Sequence, residues 1–239
     1  MFDEATAIAV LADGMGGYNA GEIASGMATA FIKSELSRWL AEAGAGAKLK
    51  EVRRAMEICV ENANMAIYNS ANSNVQYAGM GTTLVTAVFR EERLLLGHIG
   101  DSRCYRMREA TLQAITKDHS LLQEQIDAGL ITLEQAAHSN IKNLVTRALG
   151  VEESVMLDIS EHAVQAGDCY LMCSDGLSDM VEDVAIARIL GSDVSLEQKA
   201  TDLVAIANEN GGRDNISVLL VAVSDGAERR GLLARLLGK

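Results

Sequence analysis

With 239 residues, 49% of them hydrophobic and 23% charged, the chain is long enough to bury a substantial core and has the balance of a globular protein, not of a disordered or fibrous one. Its 21 Lys and Arg face 33 Asp and Glu, and the resulting formal charge of −12 argues against a broad footprint for nucleic acid or an anionic membrane. No apolar run reaches the ~18 residues that span a bilayer, the N-terminus lacks a basic secretory start, and Cys59, Cys104, Cys169 and Cys173 lack zinc spacing, so the expectation is a cytoplasmic protein with reduced thiols.

Residues 7–12 are apolar throughout and end at Asp13-Gly14, which predicts a strand buried on both faces and then a turn. A glycine-rich loop follows. Ile23, Met27, Ala30 and Phe31 recur at helical spacing between Glu22 and Ala43, as do Val52, Met56, Cys59, Ala63 and Ile67 between Leu49 and Asn72, so two long amphipathic helices are expected. Residues 82–89 and 93–100 read as a hairpin of core strands, with a third strand at 102–107. Residues 119–140 read as a helical or irregular insert, and 143–148 and 155–159 as short strands. Strand 169–174, helices 183–190 and 196–208, and a final strand 215–223 complete the order. Paired helices and hairpin strands favour layered antiparallel sheets flanked by helices over a doubly wound parallel sheet. Proline is absent, where usage of about 5% predicts roughly a dozen, and this reads as selective removal.

Four aspartates, Asp13, Asp101, Asp175 and Asp214, each abut a long apolar strand, and glycine lies beside or just upstream of each, allowing close backbone approach. Carboxylates at the rim of a core are unfavourable unless paired or metal-bound. Few Lys or Arg stand near, so a hard divalent cation is the natural counter-charge if these strands are neighbours. A single Asp-Gly is more often a plain turn; four such sites weaken that reading. The loop after Asp13 has Asn19 where a dinucleotide fingerprint needs glycine, and neither a P-loop nor a G-x-S-x-G elbow occurs. His98 reads as a satisfied core side chain, His119 as a loop residue able to carry protons, His138 and His162 as surface residues, and Ser174 as a structural hydroxyl.

The segments LADGMGGYNAGEIAS, GMGTTLV, GHIGDSRCYRM, KDHSLL, VTRALG, CSDGLSDMV and GGRDNISVLLV, in this order, resemble the motifs of the metal-dependent protein serine/threonine phosphatases of type 2C in their bacterial form. The resemblance covers nearly the whole chain. It implies an α+β fold, a four-layer α-β-β-α sandwich of two antiparallel sheets flanked by helix pairs. Residues 1–226 would form the catalytic domain, with a mobile flap at about 120–142, and 227–239 a basic amphipathic tail. The implied reaction is hydrolysis of phosphoserine and phosphothreonine in proteins by a metal-bridging water, with two or three Mn²⁺ or Mg²⁺ ions. A phosphoprotein substrate, an opposing serine/threonine kinase and a monomeric state go with that reading.

On the family pattern Asp13 bridges two metals, the Gly14 carbonyl serves one, and Asp175 and Asp214 complete the other. Asp101 helps hold a third with Asp175, while Asn215, Asp118 and His119 support from behind. The family also begins with an upstream strand bearing a phosphate-gripping Arg and an Asn-Glu-Asp run; here MFDEAT offers Asp3 and Glu4 but no Arg. Met15 and Tyr18 stand where relatives often carry histidine. These departures define the alternative expectation, a truncated or inactive phosphatase-like domain acting as a metal-binding regulatory module.

Overall fold

The computed structural model describes residues 1–3, 5–17, 19–44, 46–137 and 144–224. The first half contains β1 (Phe2–Asp3), β2 (Ile8–Leu11), β3 (Gly14–Met15), α1 (Ala20–Ala43), α2 (Leu49–Ser73), β4 (Gly81–Thr82), β5 (Leu84–Arg90) and β6 (Arg93–Ile99). The second contains β7 (Arg103–Arg108), β8 (Thr111–Ala114), α3 (Leu121–Asp127), α4 (Leu133–Ala137), β9 (Asp158–Ala163), β10 (Cys169–Cys173), α5 (Asp175–Ser178), α6 (Asp183–Leu190), α7 (Leu196–Glu209) and β11 (Val218–Ala222). One sheet has the order β1-β2-β5-β6-β9 and the other β11-β10-β7-β8, and every pairing in them is antiparallel.

Three apolar clusters hold four layers together, as the layered expectation requires. In β2 the side chains alternate, so Ile8 and Val10 pack with α1 and α2 while Ala9 and Leu11 meet Tyr170, Met172 and Val221 between the sheets. A third cluster joins the far face of the second sheet to Leu177, Ile186, Leu190 and Leu203. All four cysteines are buried and unpaired.

Several elements sit differently from the sequence reading. The buried stripe of α1 is Ala24, Ala28, Ile32, Leu36 and Leu40, with Ile23, Met27 and Phe31 on its flank and Ala30 exposed. Small residues let the helix approach the sheet, so the bulkier side chains mark the edge of the stripe. The strand expected at 155–159 is β9, displaced to Asp158–Ala163 by its pairing with β6. The described part of 143–148 forms one isolated bridge, Val145 to Ser120, and no strand. β8 was invisible because it is mostly exposed; it exists as the return of a tight turn at Glu109, whose φ is 53°.

Residues 1–3 cover the edge of β2, where Met1 and Val10 exchange backbone hydrogen bonds of 2.7 and 2.9 Å. Asp3 pairs in register with Ile8, at the end of β2 away from Asp13, and its carboxylate accepts from Thr6 and Ser37. Glu4, Tyr18, His138 and the tail 227–239 lie outside the described residues.

Candidate metal centre

Antiparallel pairing brings the ends of both sheets to one edge. Asp13 leaves β2, Asp101 lies between β6 and β7, Asp175 follows β10 after Ser174 and opens α5, and Asp214 precedes β11. The backbone around Asp13 is held from the next strand: its N–H donates to Thr83 Oγ1 at 3.0 Å, and its carbonyl accepts from Thr83 N and Thr82 Oγ1, both at 2.8 Å. Thr83 Oγ1 also lies 2.7 Å from Ser102 Oγ, which ties the Asp13 turn to the Asp101 turn. Gly14 faces the start of α1 so closely that a Cβ there would lie 1.9 Å from the Gly21 carbonyl oxygen. On the second sheet, Ser174 donates to the Asn215 carbonyl at 3.0 Å and accepts from Ser217 N at 3.0 Å, confirming its structural role. The Asn215 N–H donates to Asp214 Oδ1 at 2.7 Å and orients that carboxylate.

The electrostatics of this edge are adverse without cations. Burial, then the charges of Asp175 and Asp214, a hydrogen bond to Asp175 and the charge of Asp101, push the Asp13 carboxyl up to about 7. Burial and Asp175, then Asp118, do the same to Asp101. Asp175 is also raised, by burial and then by Asp179 and Asp214, and its Oδ1 is buried with no hydrogen-bond partner among the described residues. Asp179, one helical turn beyond Asp175, lines a cavity of about 250 Å³ together with Asp101, Asp175 and the α3 residues Leu122 and Ile126. The guanidinium in that cavity is already engaged: Arg103 grips Asp118 through two nitrogens, Nε to Oδ1 at 3.0 Å and Nη2 to Oδ2 at 2.7 Å. An orphaned buried carboxylate oxygen among mutually repelling acids is an oxygen-donor set suited to Mg²⁺ or Mn²⁺.

A second group of ligand-type atoms, from His98, His119 and Asp158, lies within 4.8 Å. Its geometry does not suit a metal. The two imidazoles are stacked, with centroids 4.5 Å apart and planes 20° apart, so their in-plane lone pairs run side by side instead of meeting. Gly100 N–H donates to His119 Nδ1 at 3.2 Å, leaving the proton on Nε2, and Arg147 Nη1 stands 3.5 Å from that atom. Burial, then the neighbouring His98 and Arg147, push His119 down to about 4. His119 therefore positions Gly100 beside Asp101 as a neutral ring and is not placed as an exposed proton carrier. His98 is buried, with Nε2 2.7 Å from the Lys117 carbonyl oxygen, as expected of a core histidine. His162 is half-buried against Ser160.

Thr82, Thr83, Ser102, Arg103 and Asp179 were not assigned roles from sequence, although all five lie within the quoted motifs. The readable signal was polarity where burial is expected: Thr82, Thr83 and Ser102 are buried at the ends of apolar strands.

A four-layer sandwich with unneutralised aspartates at one edge of its paired sheets is the architecture implied for metal-dependent phosphatases. The chain belongs to the protein phosphatase 2C family, whose model matches residues 2–221. It is 39% identical over 214 residues to a serine/threonine phosphatase Stp of Listeria welshimeri, covering 90% of this chain and 83% of that protein. A solved Streptococcus agalactiae serine/threonine phosphatase superposes with a TM-score of 0.84 at 36% identity, covering 93% of this chain and 90% of the other. The catalytic domain of the phosphatase PstP, solved in complex with 2 manganese ions, matches with a TM-score of 0.78 at 37% identity, over 91% and 88% of the two chains.

Proposed function

We propose that this chain is a metal-dependent phosphatase that hydrolyses phosphoserine and phosphothreonine in proteins, with Asp13, the Gly14 carbonyl, Asp101, Asp175 and Asp214 as the metal-holding set. The observation that carries the reading is the Asp175 oxygen, buried and unpartnered beside carboxyls whose affinity for protons is raised by one another. A fold that only needed stability would have little reason to keep that arrangement. When bound, Mn²⁺ or Mg²⁺ supplies the positive charge that draws in a phosphate ester and acidifies water for attack.

The rest is done by the chain. Thr82 and Thr83 fix the Asp13 backbone, Asn215 fixes Asp214, and His119 and Ser102 fix the Asp101 turn. Asp175 and Asp214 of the second sheet thus lie close enough to the first-sheet Asp13 to raise its pKa, which brings carboxylates of both sheets to one place for a metal-assisted displacement. The α3 and α4 region walls the cavity above Asp101 and Asp175 and is the flap of this reading. Buried reduced thiols support a cytoplasmic setting. A serine/threonine kinase must supply the phosphoprotein that such an enzyme consumes.

Hydrolysis of a phosphothreonine peptide with Mn²⁺ or with chelator present tests the reading. Turnover that needs Mn²⁺ and disappears in Asp214→Asn is expected; folded protein that binds Mn²⁺ without turnover would establish the regulatory module instead.

A further inference from the structure

A second cavity, of about 430 Å³, opens beside the residue that follows Gly14. Met15, the residue after Gly14, forms one side, and the segment from Val145 to Met156 forms the rest. This segment is firmly held. Thr146 N donates to the His119 carbonyl at 2.8 Å, and Leu149 exchanges two backbone hydrogen bonds with Thr82 at 2.8 and 3.1 Å. Asn64, fully buried on α2, accepts from Gly150 N at 2.7 Å and donates to the carbonyls of Glu152 and Glu153 at 3.0 and 3.1 Å. A buried amide whose described hydrogen bonds all go to one exposed loop preorganises that loop. The loop nonetheless turns apolar side chains outward: Val151 is 54% exposed and Met156 71%. Arg147 and Glu152, both exposed, stand in the same groove, a cation and an anion in a chain of charge −12.

We infer that this groove is the docking surface for the polypeptide flanking the phosphorylated residue, taking an apolar side chain between Met15, Val151 and Met156 and an acidic one at Arg147. The inference rests on the phosphatase reading. Its occupant follows from continuity and charge: β3 joins the groove to Gly14 without a break, so a chain whose phosphate sits at the aspartate edge passes over Met15 within a residue or two of extended backbone. The walls offer apolar contact, the positive charge of Arg147 and the negative charge of Glu152, so an apolar side chain is matched along the groove and an acidic one only at its Arg147 end. Free phosphate or a small ester would leave the groove empty.

The test uses phosphothreonine peptides in which Leu, Glu, Ser and Lys are scanned in turn along both flanks, with p-nitrophenyl phosphate as the small ester and Mn²⁺ present. Expected is a preference of about tenfold in kcat/KM for the Leu- and Glu-bearing peptides, expressed in KM, and its loss in Met156→Lys and Arg147→Glu relative to the small ester. Met156→Lys should in turn come to favour Glu where Leu was preferred, a gain that misfolding cannot produce. Flank-independent kinetics in a protein that turns over both substrate types would overturn the groove and leave the phosphatase standing. No turnover of either substrate would overturn both.

Discussion

Two aspartates bracket β10, and their surroundings are opposite. Asp168, before the strand, has a fully buried side chain and is fully satisfied: Arg108 donates from Nε and Nη2 at 2.7 and 2.8 Å, Gln165 N at 2.8 Å and Tyr170 Oη at 3.1 Å. Burial alone would raise its pKa, but these partners overrule burial and hold it below the usual carboxylate range. Asp175, after the strand, has an orphaned oxygen, acidic neighbours and a raised pKa. The same residue type, five strand residues apart, is a structural anchor at one end of the sandwich and a stored conflict at the other. Burial therefore does not distinguish function from structure here. The fate of the counter-charge does.

The largest effect should come from dissolving the conflict. Asp175→Asn removes one of the repelling charges and a member of the proposed metal-holding set together, so turnover of a phosphothreonine peptide should fall at least about a thousandfold. The metal-free variant should meanwhile melt above the metal-free parent, because the neighbouring carboxyls lose a like charge. Calorimetry in chelator beside peptide kinetics checks both signs. A variant that keeps its activity and melts below the parent would show Asp175 to be an anchor like Asp168.

Breaking the satisfied end should do the reverse. Asp168→Ala strands the Gln165 N–H, the Tyr170 hydroxyl and one face of Arg108, at a cost of about 2–4 kcal/mol. For a chain of this size that is a fall in Tm of roughly 4–16 °C. The variant that stays folded should keep its kcat to within about twofold, since additivity holds for sites far from the chemistry. Urea melts in chelator and initial rates well below the melt measure the two independently.

Much of this was legible beforehand, and unevenly. Asp13, Asp101, Asp175 and Asp214 announce themselves because each stands beside a glycine-bearing turn at the end of an apolar strand, and the four layers follow from where helices and hairpins fall along the chain. Asp168 does not announce itself: it also precedes an apolar strand, but its partner Arg108 lies 60 residues away, and only the β7–β10 register brings the two together. The same limit hid Asn64, an ordinary polar residue on a helix until the loop at 150–153 folds over it. Local pattern finds residues that break a rule, whereas long-range pairing decides whether the breach is repaired. The α1 stripe was misplaced for a related reason: hydrophobicity ranks Phe31 and Met27 above Ala24 and Ala28, while close packing on a sheet ranks them the other way.

The two ends also differ in pH dependence, with the smallest effect of the set. Asp101 has its pKa raised to about 7, above its unfolded value, so the folded metal-free protein holds a proton that the unfolded chain releases. Its contribution to stability is therefore fully present below the ordinary carboxylate pKa of about 4 and is lost as pH rises from there through about 7. Asp168 carries the opposite sign, contributing above the ordinary carboxylate pKa and losing its contribution only as pH falls below it. In chelator, stability should accordingly decline from about pH 4 to about pH 7, and Asp101→Asn should make that decline shallower, Asp13 keeping its own share, while Asp168→Ala leaves its slope intact. With Mn²⁺ the sign should invert: the metal competes with the same protons, so its affinity and the stability it confers rise with pH over that window. Melting curves at a series of pH values, with and without Mn²⁺, read all of this from one protein. A metal-free slope of zero would mean that the carboxylates at the Asp175 end are as well compensated as those at the Asp168 end.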